Sequence, residues 1–208
     1  MSIKENNLIF DLDGTLFDSA PEILDCLREI FRINNIEVNN DFNYSIIGPP
    51  LRDTLKSLVQ EKDINKIDRL ISDFIKLYDS KYCYKTELYK NVRETLEILE
   101  REKRLLLITN KRHAPTKIML ENKNIVHFFE NYFCVDANYP KKKDKTTLIA
   151  NTISDLNINP ANTVYIGDTK GDLLASDNNN IKFIYAGWGY GENIDSAFLN
   201  LNDISELV

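Results

Sequence analysis

The sequence predicts an α/β fold: a parallel sheet covered on both faces by helices, with an all-helical segment inserted after the first strand. Short apolar runs (Leu8-Ile9-Phe10, Arg104 to Thr109, Tyr132 to Val135, Thr163 to Ile166, Lys182 to Tyr185) alternate with stretches of helical periodicity. Such alternation implies crossover connections and a parallel sheet. Residues 17 to 83, by contrast, carry helical spacing alone. The apolar runs also end in polar residues: Asp11 and Asp13, Thr109 and Asn110, Asp168. Open parallel sheets bind their ligands at that end of the strands.

Leu8-Ile9-Phe10 reads as a short buried strand. A helix then starts, with Ser19 and Glu22 as a capping box, Pro21 in the first turn, and Ile23, Leu24, Leu27, Ile30 and Phe31 at helical spacing. A break follows at Gly48-Pro49-Pro50. A second helix carries Leu51, Leu55, Leu58 and Val59, and a third carries Ile67, Leu70, Ile71, Phe74, Leu77 and Tyr78. Tyr78, Tyr82, Tyr84 and Tyr89 read as hinge packing near the return from this segment. Val92, Leu96 and Leu99 mark a helix ahead of the Arg104 strand, and Pro115 opens another with Ile118 and Met119. Leu148, Ile149, Thr152, Ile153 and Leu156 share one helix face, and a short helix follows Gly167-Asp168.

The chain has 208 residues, enough for one sizeable core or for a core with a smaller unit. Its hydrophobic share of 43% and charged share of 28% are those of an ordinary globular protein. A net charge of −6 argues against nucleic acid as a partner and requires local cationic help for any anionic substrate. Cys26, Cys83 and Cys134 lie far apart with no C-x-x-C pair, which fits buried apolar residues in a reducing cytoplasm. The first residues, MSIKENNLIF, read as neither signal peptide nor membrane span. With only His113 and His127 available, a multi-histidine metal site is excluded.

Asp11 and Asp13 pose the chemical question. Like charges this close repel, and they stay ionised away from water only near a cation. Carboxylate oxygens suit a hard ion, Mg²⁺ ahead of Ca²⁺ where phosphate is the partner. One carboxylate can then hold the metal and attack, while the other faces the leaving group. A calcium loop does not fit, because its sixth position needs glycine and here is Leu16. Gly187-Trp188-Gly189-Tyr190-Gly191 is not a dinucleotide fingerprint and reads as a flexible loop at the rim of the site. Arg52 reads either as a contact to a substrate anion or as an exposed arginine at a helix start, and Lys111 and His113, following Thr109-Asn110, read as bordering the site or, by default, as surface residues.

Asp11-Leu-Asp13-Gly14-Thr15, Thr109-Asn110, a lysine before a helix, and Gly167-Asp168-Thr-Lys-Gly-Asp172 together resemble the haloacid dehalogenase (HAD) superfamily over essentially the whole chain. The helical insertion, with Gly48-Pro49-Pro50-Leu51, is similar to the cap of its phosphoglycolate-phosphatase-like subgroup. The resemblance implies a three-layer α/β/α Rossmann-like core over residues 1–16 and 84–208, with an inserted α-helical cap domain over 17–83. It implies Asp11 as the nucleophile that forms an aspartyl-phosphate, Asp13 as general acid and base, and Thr109 as the hydroxyl holding the phosphoryl group. It implies Mg²⁺ held by Asp168, the Asp11 carboxylate and the Asp13 backbone carbonyl, with Asp172 in support and Gly14, Asn110 and Arg52 toward the substrate. The lysine is Lys145 in a K-x-x-L-I reading or Lys143 in the commoner one, whose prolines are missing; Lys145 fits without gaps.

Asp13 separates the branches, since a departing halide needs no proton and a departing ester oxygen does. The expectation is therefore a cytoplasmic, Mg²⁺-dependent phosphatase of a small phosphorylated metabolite, monomeric or homodimeric, without a membrane partner. A phosphomutase of the β-phosphoglucomutase type and a low-turnover binding or regulatory protein on the same scaffold are the alternatives.

Overall fold

The computed structural model describes residues 3–37, 43–59, 63–136, 144–192 and 194–208. In chain order the elements are β1 (Asn7–Phe10), β2 (Phe17–Asp18), α1 (Ala20–Ile33), α2 (Leu51–Val59), α3 (Ile64–Leu77), β3 (Glu87–Leu88), α4 (Val92–Leu99), β4 (Arg104–Thr109), α5 (His113–Asn122), β5 (Asn131–Cys134), α6 (Lys145–Asp155), β6 (Thr163–Gly167), α7 (Lys170–Asp177), β7 (Lys182–Ala186) and β8 (Leu199–Leu201). No described helix is long and apolar enough to cross a membrane.

Strands β5, β4, β1, β6, β7 and β8 lie in that order in one sheet, and every neighbouring pair is parallel. β1 sits between β4 and β6 in the interior of the sheet, and Leu8, Ile9 and Phe10 are fully buried. An unbroken apolar run is what a strand covered on both faces requires. Ile9, Leu106, Ile108, Tyr165, Phe183 and Tyr185 share a core with Leu148 and Ile149 of α6 and Ala175 of α7. Their alternate neighbours Leu8, Phe10, Leu105 and Leu107 point to the opposite face and are buried there as well. Tyr165, wholly buried, donates its hydroxyl to the Ile108 carbonyl at 2.7 Å, so the one polar atom of the ring is satisfied inside the core.

The chain divides into two compact units, Met1–Asp18 with Glu87–Val208, and Ser19–Thr86. The sequence places the break at 16/17 and 83/84. The difference has a local cause: Phe17 pairs with Leu88 and Asp18 with Glu87 in a two-stranded antiparallel ribbon that belongs to the α/β unit. Two-residue strands leave no periodicity to read. The helical unit holds α1, α2 and α3, which pack together, and a π-helical turn at Tyr78–Tyr82. There Tyr78 stacks on Phe74 at 5.3 Å, and Tyr82 donates to Glu29 at 2.5 Å. Tyr84 is exposed, and Tyr89 lies in the other unit.

Several helix starts follow local chemistry, and one expected cap does not form. Asp63 caps α3, Asp144 caps α6, and Thr169 with Asp172 forms a capping box on α7. Ser19 does not cap α1: its backbone is already helical and its side chain makes no capping bond, so the box expected with Glu22 does not form. Asn35, Asn124, Asn157 and Asn180 adopt left-handed backbone just past α1, α5, α6 and α7. Asparagine tolerates that conformation better than other residues with a side chain. It takes the helix-stop role that glycine usually fills, in a chain with only 7 glycines.

The core makes a stability prediction. Leu106→Ala removes a fully buried side chain from an interior strand and should cost about 2–5 kcal/mol. Urea unfolding should show the midpoint falling while the slope holds.

Candidate active site

The strand register delivers the polar residues to one edge of the sheet. Phe10 stands opposite Leu107 on one side and Ile166 on the other. Two residues further along the chain from each of these come Leu12, Thr109 and Asp168, at the carboxyl ends of β1, β4 and β6. The chain goes from β1 to β4 and β5 on one flank and later to β6, β7 and β8 on the other. The crevice where strand order reverses therefore lies at β1. The Asp11 amide donates to the Ile166 carbonyl at 2.9 Å and extends the ladder to the first acid. The Leu12 carbonyl then accepts from the amides of Leu16 (2.9 Å) and Phe17 (3.0 Å), folding the Asp13-Gly14-Thr15 segment into a tight loop.

Within that edge, carboxylate oxygens of Asp11, Asp168 and Asp172 all lie within 4.8 Å of one another, and all three residues are buried. The Lys145 ammonium enters the cluster from the first residue of α6, 3.1 Å from Asp11 Oδ2 and hydrogen-bonded to Asp172. A cation at a helix N-terminus opposes the helix dipole, so the two carboxylates are what hold it there. Asp172 is fully engaged: Oδ1 takes Lys145, and Oδ2 takes the Thr169 amide at 3.0 Å and hydroxyl at 2.7 Å. Asp168 Oδ2 accepts the Tyr190 amide at 2.8 Å. Asp11 Oδ1 and Asp168 Oδ1 are buried and have no hydrogen-bond partner among the described residues.

Three carboxylates and one ammonium leave this set of four side chains two positive charges short of balance. Burial, with Asp172 and Asp11 nearby, pushes the Asp168 carboxyl up to about 8. Burial likewise raises Asp11, although Lys145 pulls against it. Burial works against the charge on Lys145, but Asp11 and Asp172 outweigh it and hold the ammonium well above its ordinary value. A proton on a carboxylate relieves this excess negative charge, and a divalent cation does so more fully. The unpartnered Asp11 and Asp168 oxygens are hard donors suited to Mg²⁺.

Asp13 stands apart from the cluster. Both of its oxygens accept from the Lys111 ammonium, at 2.8 and 3.1 Å. Lys111 is therefore not a surface residue, for its side chain is only 8% exposed. Its amide donates to Thr109 Oγ1 at 3.2 Å, and Thr109 is itself buried. Asn110 is exposed. His113 stacks on Tyr132 at 5.4 Å and takes no part in the acid cluster. Arg52 lies in the helical unit, paired with Asp68. Lys141, Lys142 and Lys143 lie outside the described residues. Cys26 and Cys134 are buried, and burial pushes both thiols up to about 12, which keeps them out of nucleophilic chemistry.

The segment Gly187 to Gly191 is built into the site rather than standing at its rim. Besides the Tyr190 amide on Asp168, Trp188 Nε1 donates to the Thr15 carbonyl at 2.9 Å and the Tyr190 hydroxyl to Asp18 at 2.8 Å. A Cβ on Gly189 would stand 2.3 Å from the Gly14 carbonyl oxygen and 2.4 Å from Asp168 Cβ. Gly14, at φ +78°, would drive a Cβ to 2.1 Å from Asp168 Oδ2. These two glycines let three loops close on one carboxylate. The alternating glycines were the sequence signal for this contact.

Residues 8–186 match the model of a family described as haloacid dehalogenase-like hydrolase. A phosphoglycolate phosphatase of Colwellia psychrerythraea is 30% identical over 207 residues, covering 94% of this chain and 91% of the relative. A pyrophosphatase PpaX of Oceanobacillus iheyensis is 27% identical, covering 90% of this chain and 85% of that one. In three dimensions, a haloacid dehalogenase-like hydrolase of Streptococcus pneumoniae matches with a TM-score of 0.88 at 24% identity, over 98% of this chain and 97% of the other, a likeness of fold. With the family match spanning residues 8–186, the chain belongs to the haloacid dehalogenase-like hydrolases, in the company of the phosphoglycolate phosphatases.

Proposed function

We propose that the protein is a cytoplasmic, Mg²⁺-dependent phosphatase that removes the phosphoryl group from a small phosphorylated metabolite through an aspartyl-phosphate on Asp11. The observation that carries this reading is the division of the acids. Asp11 lies in a buried cluster deficient in positive charge, with one oxygen unpartnered, while Asp13, two residues on, is held outside it by Lys111. Two carboxylates in different surroundings suit two different roles.

In this reading Asp11 attacks phosphorus, and Lys145, 3.1 Å from its Oδ2, keeps the carboxylate oriented and its charge balanced. Asp172 fixes Lys145 in turn. Asp13 gives a proton to the departing oxygen and later takes one from the water that cleaves the aspartyl-phosphate. The Thr109 hydroxyl, with the backbone at Gly14 and the side chain of Asn110, steadies the phosphoryl oxygens. Asp11, Asp168 and the Asp13 backbone carbonyl would hold the metal. When bound, Mg²⁺ supplies the positive charge that lets an anionic phosphate approach an anionic nucleophile. Phosphoglycolate and pyrophosphate, the substrates in the relatives' names, share a feature that guides the choice of substrate: the leaving portion carries a second negative charge.

Phosphate release should be measured on a panel of small phosphate esters with and without Mg²⁺. Release that requires Mg²⁺ supports the proposal, whereas isomerised sugar phosphate without free phosphate supports a mutase. Asp11→Asn should lower phosphate release by at least about 10³-fold while the thermal midpoint stays at or above that of the wild type, because the substitution removes a buried charge. Full activity in that variant would reject Asp11 as the nucleophile.

A pH dependence follows from Asp168. Its carboxyl titrates near 8 in the metal-free fold and near 3.8 when unfolded. Between those values the folded protein binds the extra proton, so metal-free stability should fall as pH rises from about 4 to about 8. Mg²⁺ takes the proton's place, so the rise in thermal midpoint on adding Mg²⁺ should grow across the same window. A midpoint shift that shrinks with rising pH would contradict this.

A further inference from the structure

The contact between Lys111 and Asp13 is not explained by the roles above. A buried ammonium is costly unless it is paired, and a neutral donor such as an amide could orient Asp13 at a smaller desolvation cost. Yet the position following Thr109-Asn110 holds a lysine whose side chain is 8% exposed and whose amide is tied to Thr109 Oγ1. Its ammonium spans both oxygens of Asp13, at 2.8 and 3.1 Å. Among the described residues, the edge thus has two cationic stations. Lys145 serves the nucleophile Asp11. Lys111 serves the acid that meets the departing oxygen.

In phosphoryl transfer the attacking and departing oxygens lie roughly in line across phosphorus. The bond from phosphorus to Asp11 forms as the bond from phosphorus to the departing oxygen breaks, and the proton carried by Asp13 passes to that oxygen. The group beside Asp13 therefore faces the leaving portion of the substrate rather than the phosphoryl group. Once its proton has passed, an Asp13 carboxylate alone would repel a leaving portion that carried its own negative charge. With Lys111 between them, the same substrate charge meets an ammonium whose N–H bonds fan out from one nitrogen.

Resting on the reading of Asp11 as nucleophile and Asp13 as acid, we propose that Lys111 is a specificity-determining residue that recognises an anionic group, carboxylate or phosphate, on the leaving portion close to the departing oxygen. The substrate class is then a phosphate ester or anhydride with a negatively charged leaving group. Esters of neutral alcohols are the poorer substrates.

The test compares 2-phosphoglycolate with its neutral isostere 2-phosphoglycolamide, in Mg²⁺, as a ratio of kcat/KM. Because each ratio is taken on one preparation, any loss of folded protein cancels. The wild type should prefer the carboxylate by at least about tenfold. Lys111→Met should bring the ratio to near one, and Lys111→Arg should restore most of it. If Lys111→Met turns over neither ester, the same ratio is read from their binding to Asp11→Asn and to the Asp11→Asn, Lys111→Met double variant. A wild-type ratio near one overturns the proposal, as does a ratio that survives in Lys111→Met, where both esters lose equally and the lysine only positions Asp13. Failure of the wild type to release phosphate from either ester overturns instead the phosphatase reading on which the proposal rests.

Discussion

Three buried carboxylates, Asp11, Asp168 and Asp172, share the ammonium of Lys145, and the carboxyl edge of the sheet is organised around holding that unbalanced set together. Uncompensated charge in a protein interior is among the most costly arrangements a fold can contain. The fold tolerates it because each acid is fixed from a different side. Asp11 continues the β1 ladder through its amide, Asp172 is locked in the capping box of α7, and Asp168 is gripped by the Tyr190 amide. Asp168 and Asp172 cannot swing away to relieve the repulsion without losing a backbone amide donor, and Asp11 cannot without leaving Lys145. The remaining imbalance is met by a proton or by a cation.

The surrounding loops serve the same constraint. Gly14 and Gly189 allow their backbones to press against Asp168 where any side chain would collide. Trp188 and Tyr190 then pin the Asp11–Asp18 loop through Thr15 and Asp18. A site whose acids must not move calls for such a rigid second layer of contacts, because catalysis by preorganised charge depends on positions held within fractions of an ångström.

Much of this was legible in the sequence because it resides in side-chain identity and spacing. The apolar run ahead of Asp11, the Thr109 run and Gly167-Asp168 reveal strands and their polar ends together. Strand β8 leaves no sign in the sequence since Leu199–Leu201 is too short to show alternation, and the Phe17–Asp18 ribbon leaves none for the same reason. Of the two placements the sequence leaves open for Lys111, the site border holds and the surface, where lysine usually stands, does not. The burial of Lys111 is decided by Asp13, 98 residues away, a pairing that no local pattern encodes. The Tyr190 contact is made by a backbone amide, so the tyrosine itself gives no sign of it and only the glycines on either side do. Ser19 and Glu22 have the letters of a capping box, yet Ser19 already lies in helical backbone and its side chain does not cap.

The pairing of β1 carries a consequence for the order of events on the ribosome. Asn7 faces Arg104 on one side and Thr163 on the other, so the first strand of the chain waits for partners that emerge about a hundred and more than a hundred and fifty residues later. Contacts so distant in sequence are slow to form. Until β6 has been synthesised and docked, the Asp11 loop has no Asp168 beside it and keeps its acids in water. In a nascent chain the concentration of negative charge thus comes into being only as the sheet closes around it.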